Sequence, residues 1–198
     1  KPSDEQLNEL DLAQFRMPEL ANVPAIAGAK AAEFTGSGRG DLERVRSIEA
    51  MLSGTGFFSN GTEGQVPSLS GHGAGRITSL LDAEQMIGDD EQYAVAMALM
   101  AREQGIPARV VMGFYPEEYA PEKAVEIKGS DVHAWVEIAF EDVGWVAFNP
   151  TPNEDEQPTP PEQEPKAVPQ PQVLQPPPPA QEEADLPPQT APEPQEVE

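Results

Sequence analysis

The pattern of apolar and polar positions predicts helices in the first half of the chain. Helical spacing over residues 25–34 begins after Pro24 and ends at a glycine-rich segment. A second helix follows Asp41, which we expect to be its N-cap. Its apolar positions have helical spacing and predict one buried face: Leu42, Val45, Ile48, Met51 and Leu52.

A glycine- and serine-rich stretch over 53–76 then predicts a long loop, followed by a short helix over 78–86. The most apolar helix is predicted over 90–104. Because it is apolar almost all round, we expect it at the centre of the domain. Gly105 and Pro107 end it, since glycine favours helix ends and proline cannot continue a helix.

Alternating apolar residues and β-forming side chains predict three strands after this helix, at 109–115, 132–140 and 145–148. The turn between the last two strands is short enough for an antiparallel hairpin. We therefore predict an α+β fold in which the central helix packs on an antiparallel sheet.

Composition divides the 198-residue chain into unequal parts. Residues 152–198 hold 15 of its 23 prolines, a strong excess of acidic residues and no aromatic residue. Such a segment has too little apolar surface to offset the entropy of ordering it. We predict an N-terminal extension over 1–22, one domain over 23–151 and a disordered, acidic, proline-rich tail over 152–198.

Charge and cysteine content exclude several classes of function. A net charge of −23 argues against nucleic-acid binding, which needs clustered Lys and Arg, and against docking on anionic lipid. The absence of cysteine excludes disulfides, thiolate zinc sites and thiol catalysis by this chain. No apolar run approaches the roughly 20 residues that span a bilayer, so any membrane attachment would need segments outside this sequence.

Several segments together resemble the transglutaminase-like core domain, which has a papain-like fold and is common in bacterial envelope proteins. They are 88–94 (GDDEQYA), 105–114 (GIPARVVMGF), 131–137 (DVHAWVE) and 144–151 (GWVAFNPT). The preceding glycine-rich region resembles that of actinobacterial members. The order and spacing of the segments agree with the family over about residues 78–151.

The resemblance implies specific roles for three residues. Active members place a nucleophilic Cys at the start of the central helix, a His base on the next strand and an orienting Asp beyond it. These positions correspond to Asp90, His133 and Asn149 in this sequence. Asn in the last position is compatible with papain-like chemistry, whereas a carboxylate in place of the thiol is not. The resemblance thus implies a pseudoenzyme that binds or scaffolds in the cell envelope.

If the family geometry is retained, Asp90 and His133 lie within hydrogen-bond reach, with Asn149 on the other ring nitrogen. His72, Glu91 and Trp135 are further candidates for a cleft. Each residue also has an ordinary structural interpretation: Asp89 and Gln92 match a capping box, and Trp135 packs on a sheet face.

Two alternative functions remain open from the sequence. One is a non-thiol amide hydrolase that uses Asp90 and His133 as acid and base. The other is a structural extracellular domain whose tail acts as a spacer. A metal site built from His72, His133 and the acids 89–91 is a weaker hypothesis, since their spacing matches no metal motif. We predict no metal and no cofactor.

The implied partners and location follow from the same resemblance. A peptide or an envelope polymer would occupy the groove, and a proline-recognising protein could bind the tail. Related chains are often membrane proteins with this domain outside the membrane, which implies that the present segment is a soluble, extracytoplasmic part.

Overall fold

Within the described residues, helices dominate the first hundred residues and a three-stranded antiparallel sheet follows them. The computed structural model describes residues 2–36, 38, 40–62, 64–114, 124–156 and 158. The helices are α1 (Asp4–Asn8), α2 (Ala25–Thr35), α3 (Asp41–Thr55), α4 (Ala74–Asp82) and α5 (Asp90–Glu103). The strands are β1 (Phe57–Phe58), β2 (Ile87–Gly88), β3 (Ala108–Phe114), β4 (Val132–Phe140) and β5 (Gly144–Phe148). Most of the proline-rich tail lies outside the described residues, so its disorder stays a prediction.

The sheet has the strand order β3–β4–β5, with both pairs antiparallel. Asp142 and Gly144 have positive φ angles of 62° and 76° and close the β4–β5 hairpin. Every second residue of β4 from Ala134 to Phe140 is buried, and α5 packs against this strand. The α+β prediction of a central helix on an antiparallel sheet is confirmed.

The central helix α5 is the most deeply buried element of the described chain. Tyr93, Met97 and Met100 are among its fully buried side chains. It ends at the predicted place, where Gly105 adopts a φ of 77° that L side chains rarely take.

Several local predictions are wrong. Gly40, not Asp41, is the N-cap of α3, and Asp41 is instead the first helical residue, where its carboxylate pairs with Arg44. Met51 is 37% exposed, because it lies beside rather than on the buried stripe of α3. The predicted loop over 53–76 contains the end of α3, the strand β1 and the start of α4.

Helix α4 begins at Ala74 and ends at Asp82, earlier than the predicted 78–86. Burial of Ile77, Leu80 and Leu81 at helical spacing outweighs the low helix propensity of Gly75. The parallel pair β1–β2 was not predicted, since two-residue strands leave no periodic pattern in a sequence.

Residues 2–20, which we call the N-terminal arm, pack on the domain rather than extending from it. Leu7 of α1 is fully buried, and Leu12 forms a β-bridge with Phe140. Phe15 makes an edge-to-face contact with Trp145, with ring centroids 5.6 Å apart. The arm thus contributes to the core even though its sequence has no clear periodicity.

The hydroxyl of Tyr93 joins α5 to the small β1–β2 sheet. It accepts the backbone N–H of Phe57 at 3.0 Å and lies within donating distance of the carbonyls of Phe57 (3.0 Å) and Met86 (2.7 Å). Gly56 is required beside it, because a Cβ there would lie 2.4 Å from the hydroxyl. Burial raises the pKa of Tyr93, so the phenol stays protonated.

We therefore expect Tyr93→Phe to destabilise the domain by about 1–3 kcal/mol, because the carbonyls of Phe57 and Met86 lose the hydroxyl as a donor. The Phe57 N–H keeps its bond to the Met86 carbonyl at 2.8 Å. Urea unfolding followed by circular dichroism measures this loss. Phe58→Leu, which alters a half-buried neighbour without removing a polar group, is the comparison variant. A loss for Tyr93→Phe no larger than that of the comparison would contradict the assigned role of the hydroxyl.

Candidate functional site

The first turn of α5 and the start of β4 bring Asp90 and His133 together. The Oδ2 atom of Asp90 lies 2.7 Å from Nδ1 of His133, so the carboxylate accepts the ring N–H. The Asp90 side chain is 19% exposed and that of His133 is 36% exposed. The sequence-based expectation that these two groups lie within hydrogen-bond reach agrees with this geometry.

A capping box fixes the start of α5 and hence the place of Asp90. The Asp89 carboxylate accepts the backbone N–H groups of Glu91 (2.9 Å) and Gln92 (3.4 Å). The Gln92 side-chain oxygen accepts the Asp89 N–H at 2.8 Å. The predicted capping role of Asp89 and Gln92 is confirmed. Desolvation raises the pKa of Asp89 and outweighs these backbone hydrogen bonds, which lower it.

A second histidine pairs with the next carboxylate of the same helix. Nδ1 of His72 lies 2.5 Å from Oε1 of Glu91, and the Gln92 side chain donates to the carbonyl of Gly71 at 3.1 Å. These bonds tether the glycine-rich loop before α4 to the start of α5. His72 and Glu91, which we predicted as cleft candidates, thus form a separate and more exposed pair.

Asn149, just after β5, reaches the same region as Asp90 and His133 but makes different bonds. Its side-chain oxygen accepts the N–H of Thr151 at 3.1 Å, and its own backbone N–H donates to Glu49 at 2.8 Å. Among the described residues, no hydrogen bond joins Asn149 to the His133 ring. The expectation that it occupies the other ring nitrogen is therefore wrong, because its side chain closes a local Asx turn.

A groove of about 610 Å³ runs beside the Asp90–His133 pair. Its aromatic and polar lining residues include Asp90, His133, Trp135, Glu137, Trp145, Phe148 and Asn149. We call it the tryptophan groove. Trp135, the remaining predicted cleft residue, forms part of its wall, whereas His72 and Glu91 are not among its lining residues.

Strand β3 supports both tryptophans of the groove. The Trp135 ring lies across Gly113, where a Cβ would be 3.0 Å from the ring. The Arg109 guanidinium stacks on Trp145 at 4.1 Å and donates to the Glu137 carboxylate at 2.7 and 2.9 Å. Contacts from β3 thus hold both indole rings in place.

The roles of Glu137 and Trp145 were missed in the sequence, although the pattern contains the information. His133, Trp135 and Glu137 alternate along β4, which places them on one face of that strand. Trp145 and Asn149 also lie an even number of residues apart, so they share one face of β5 and its extension. Following the alternation from β4 into β5 would have predicted that all five residues lie on the same face of the sheet.

Two features are absent from the part of the chain that the structure describes. No group of three or more His, Asp or Glu side chains there is placed so that it could hold a metal ion. None of the described helices has the length and apolar character needed to cross a bilayer.

Comparison with known families identifies the domain. The family model of the transglutaminase-like superfamily matches residues 28–150, which run from within α2 to just beyond β5 and include the Asp90–His133 pair. The chain belongs to the transglutaminase-like superfamily. This membership agrees with the resemblance seen in the sequence and with the observed fold.

Individual relatives match shorter parts of the chain. The chain is 36% identical over 73 residues to YebA of Bacillus subtilis, covering 34% of this chain and 10% of YebA. It is 43% identical over 60 residues to a protein-glutamine gamma-glutamyltransferase of Pseudomonas aeruginosa, covering 30% of this chain and 9% of that protein. The matched part thus spans about a tenth of the length of these curated relatives.

A solved structure is also similar to this chain. It is the periplasmic domain of TgpA from Pseudomonas aeruginosa bound to ethylmercury. The TM-score is 0.50 and the identity 27%, with 68% of this chain and 46% of the TgpA domain covered.

The raised pKa of Asp89 predicts a pH-dependent stability. The stability that its neutral carboxyl contributes is present below about pH 4 and is lost as the pH rises through the raised pKa. Asp89→Asn keeps a neutral capping oxygen. We therefore expect its free energy of unfolding, relative to wild type, to increase from about pH 3 to about pH 7.

Urea unfolding at several pH values measures this difference. Asp82→Asn, at an exposed position on α4, is the matched control and should show a smaller pH dependence. A fall in the relative stability of Asp89→Asn with rising pH would mean that the helix dipole, which favours the charged carboxylate, outweighs desolvation.

Proposed function

We propose that this domain is a catalytically inactive transglutaminase-like module that binds a peptide or polymer of the cell envelope. One observation carries the proposal: the Asp90 carboxylate hydrogen-bonds to His133 at 2.7 Å, at the start of the central helix. Active members of the superfamily carry their nucleophilic thiol at this position. The chain contains no cysteine that could replace it.

The chemistry of a carboxylate supports inactivity. A thiolate attacking an amide forms a thioester, which water can hydrolyse. A carboxylate attacking the same carbonyl would form an anhydride, which is a much poorer route for amide cleavage. In this proposal Asp90 replaces the Cys of the family, and Asn149 replaces its orienting Asp.

The tryptophan groove supports a binding role. Trp135 and Trp145 offer large, rigid surfaces, and Glu137 and His133 provide polar groups beside them. Such surfaces suit an extended chain with ring-shaped or apolar substituents. Since the similar TgpA structure from Pseudomonas aeruginosa is a periplasmic domain, we propose that this module also lies outside the cytoplasmic membrane. The proposed relation to actinobacterial envelope members rests instead on the glycine-rich region before α4.

Binding can be tested with purified cell-wall peptidoglycan as the probe. We expect the full chain to sediment with this polymer and Trp135→Ala to weaken binding about fivefold or more, since buried aromatic anchors often contribute over 1 kcal/mol. Leu69→Ala removes an exposed apolar side chain outside the groove and should bind normally. Equal binding by both variants would exclude the groove as the binding surface for this polymer.

The inherited geometry can be tested by restoring the family residues. We expect wild-type protein to show no amide hydrolysis or transfer above background. Asp90→Cys with Asn149→Asp should gain activity of at least about a hundredfold over background, the usual effect of a positioned general base. Adding His133→Ala to that pair should remove the gain. A model glutamine peptide and the release of ammonia provide the assay.

The same assay tests the competing hypothesis that the domain is a non-thiol amide hydrolase. The half-buried Asp90–His133 pair favours this hypothesis over a purely structural domain. Paired groups of this kind can act as general acid and base. If wild-type protein cleaves the model amide and Asp90→Ala abolishes that activity, the hydrolase stands and the pseudoenzyme proposal is wrong.

A further inference from the structure

The N-terminal arm reaches the tryptophan groove. Pro2 lines it together with Asp90 and Asn149. The capping box of α1 holds the chain just after Pro2, because the Ser3 N–H donates to the Gln6 side chain at 2.9 Å. One side of the groove is therefore built from the arm rather than from the sheet.

Arg46 of α3 is the charged residue on which α1 docks. Its guanidinium donates to the Asp4 carboxylate, with Nε 3.1 Å from Oδ2, and to Glu49 at 2.6 Å. It also stacks on the ring of Phe148, a groove residue, at 4.5 Å. Burial lowers the pKa of Arg46, but its bonds to Asp4 and Glu49 outweigh this effect and raise it.

Glu49 extends this network to the site. One of its carboxylate oxygens accepts from Arg46, and the other accepts the backbone N–H of Asn149 at 2.8 Å. The Glu49 side chain is only 17% exposed, so both bonds are partly shielded from water. A continuous chain of charge-assisted hydrogen bonds thus runs from α1 to the residue after β5.

The attachment of α1 is weak compared with the rest of the domain. A helix of five residues has no stability of its own in water. Its ion pair is exposed, since the Asp4 side chain is 57% accessible, and such pairs contribute little. Leu7 provides the main buried anchor. Segments with so few buried contacts open before the domain unfolds.

We propose that Pro2 and α1 form a movable wall of the tryptophan groove, whereas residues 11–15 of the arm stay bound to the sheet. In this proposal Arg46 and Glu49 couple the docking of α1 to the position of Asn149. In the docked state Pro2 closes one side of the groove and Asn149 is fixed through Glu49. Release of α1 opens that side and removes Asp4 from Arg46. As a mechanism of regulation, this rests on the proposed binding function of the groove.

Access to the groove can be measured without any natural ligand. In an Asp90→Cys background of the full chain, the rate of alkylation is compared for iodoacetamide and for a maleimide carrying polyethylene glycol. The ratio of the two rates reports the space available and cancels changes in thiol reactivity. Leu7→Ala should raise the ratio of the maleimide rate to the iodoacetamide rate about fivefold or more. Loss of the buried Leu7 side chain favours the released state of α1, and a fivefold larger population of that state corresponds to about 1 kcal/mol.

Asp4→Ala should raise the same ratio by a smaller factor, since it removes a surface ion pair and leaves the core intact. Glu5→Ala, an exposed acid on the same helix, is the matched control and should leave the ratio unchanged. An unchanged ratio in both arm variants would overturn the movable wall. A similar rise of the ratio in Glu5→Ala would also overturn the proposal. The rise would then come from the loss of any negative charge on α1 and not from the loss of the Asp4–Arg46 ion pair.

The coupling has its own readout in the amide NMR signal of Asn149. Asp4→Ala should shift that signal, because Arg46 then bonds differently to Glu49, whereas Glu5→Ala should not. An unmoved Asn149 signal in both Asp4→Ala and Arg46→Met would overturn the coupling. Neither measurement uses peptidoglycan or catalysis, so the arm can fail its test while the proposed function stands, and the reverse also holds.

Discussion

Gln92 is a neutral side chain that is fully buried at the first turn of the central helix, with a hydrogen bond at each end of its amide. Its oxygen completes the capping box with Asp89, and its nitrogen binds the carbonyl of Gly71. Both ends of the amide are needed, since a buried polar atom without a partner is costly. This side chain sets where α5 begins and how it is rotated. Asp90 and Glu91 then differ by about 100° around the helix axis, which aims them at different histidines.

The start of a helix favours an anion of any kind. Exposed backbone N–H groups and the helix dipole lower the energy of a thiolate, and they act equally on a carboxylate. If Asp90 replaced a Cys, as we propose, the electrostatics of the first turn needed little change. The histidine also kept an anionic partner at 2.7 Å. Under this proposal, the fold keeps its site geometry with a different group in the nucleophile position.

The sequence predicted long, strongly patterned elements well and short or irregular ones poorly. β4 matches its predicted bounds and α5 lies within one residue of them, because burial imposes a clear period on each. The two-residue strands β1 and β2 and the arm have no such period. Asp41 looked like a cap, but Gly40 adopts the extended cap conformation one residue earlier. The Asp90–His133 contact was expected from family resemblance, whereas the Asn149 turn depends on a local bond to Thr151 that a motif does not encode.

The groove has a further property that follows from where its aromatic residues lie. The chain contains two tryptophans, Trp135 and Trp145, and both line the groove. One indole lies across Gly113, and the other is covered by a guanidinium. Light that is absorbed by indole rings in this protein is therefore absorbed at its candidate binding surface. The tryptophan fluorescence of the protein therefore reports on the groove, because no other tryptophan contributes to the emission.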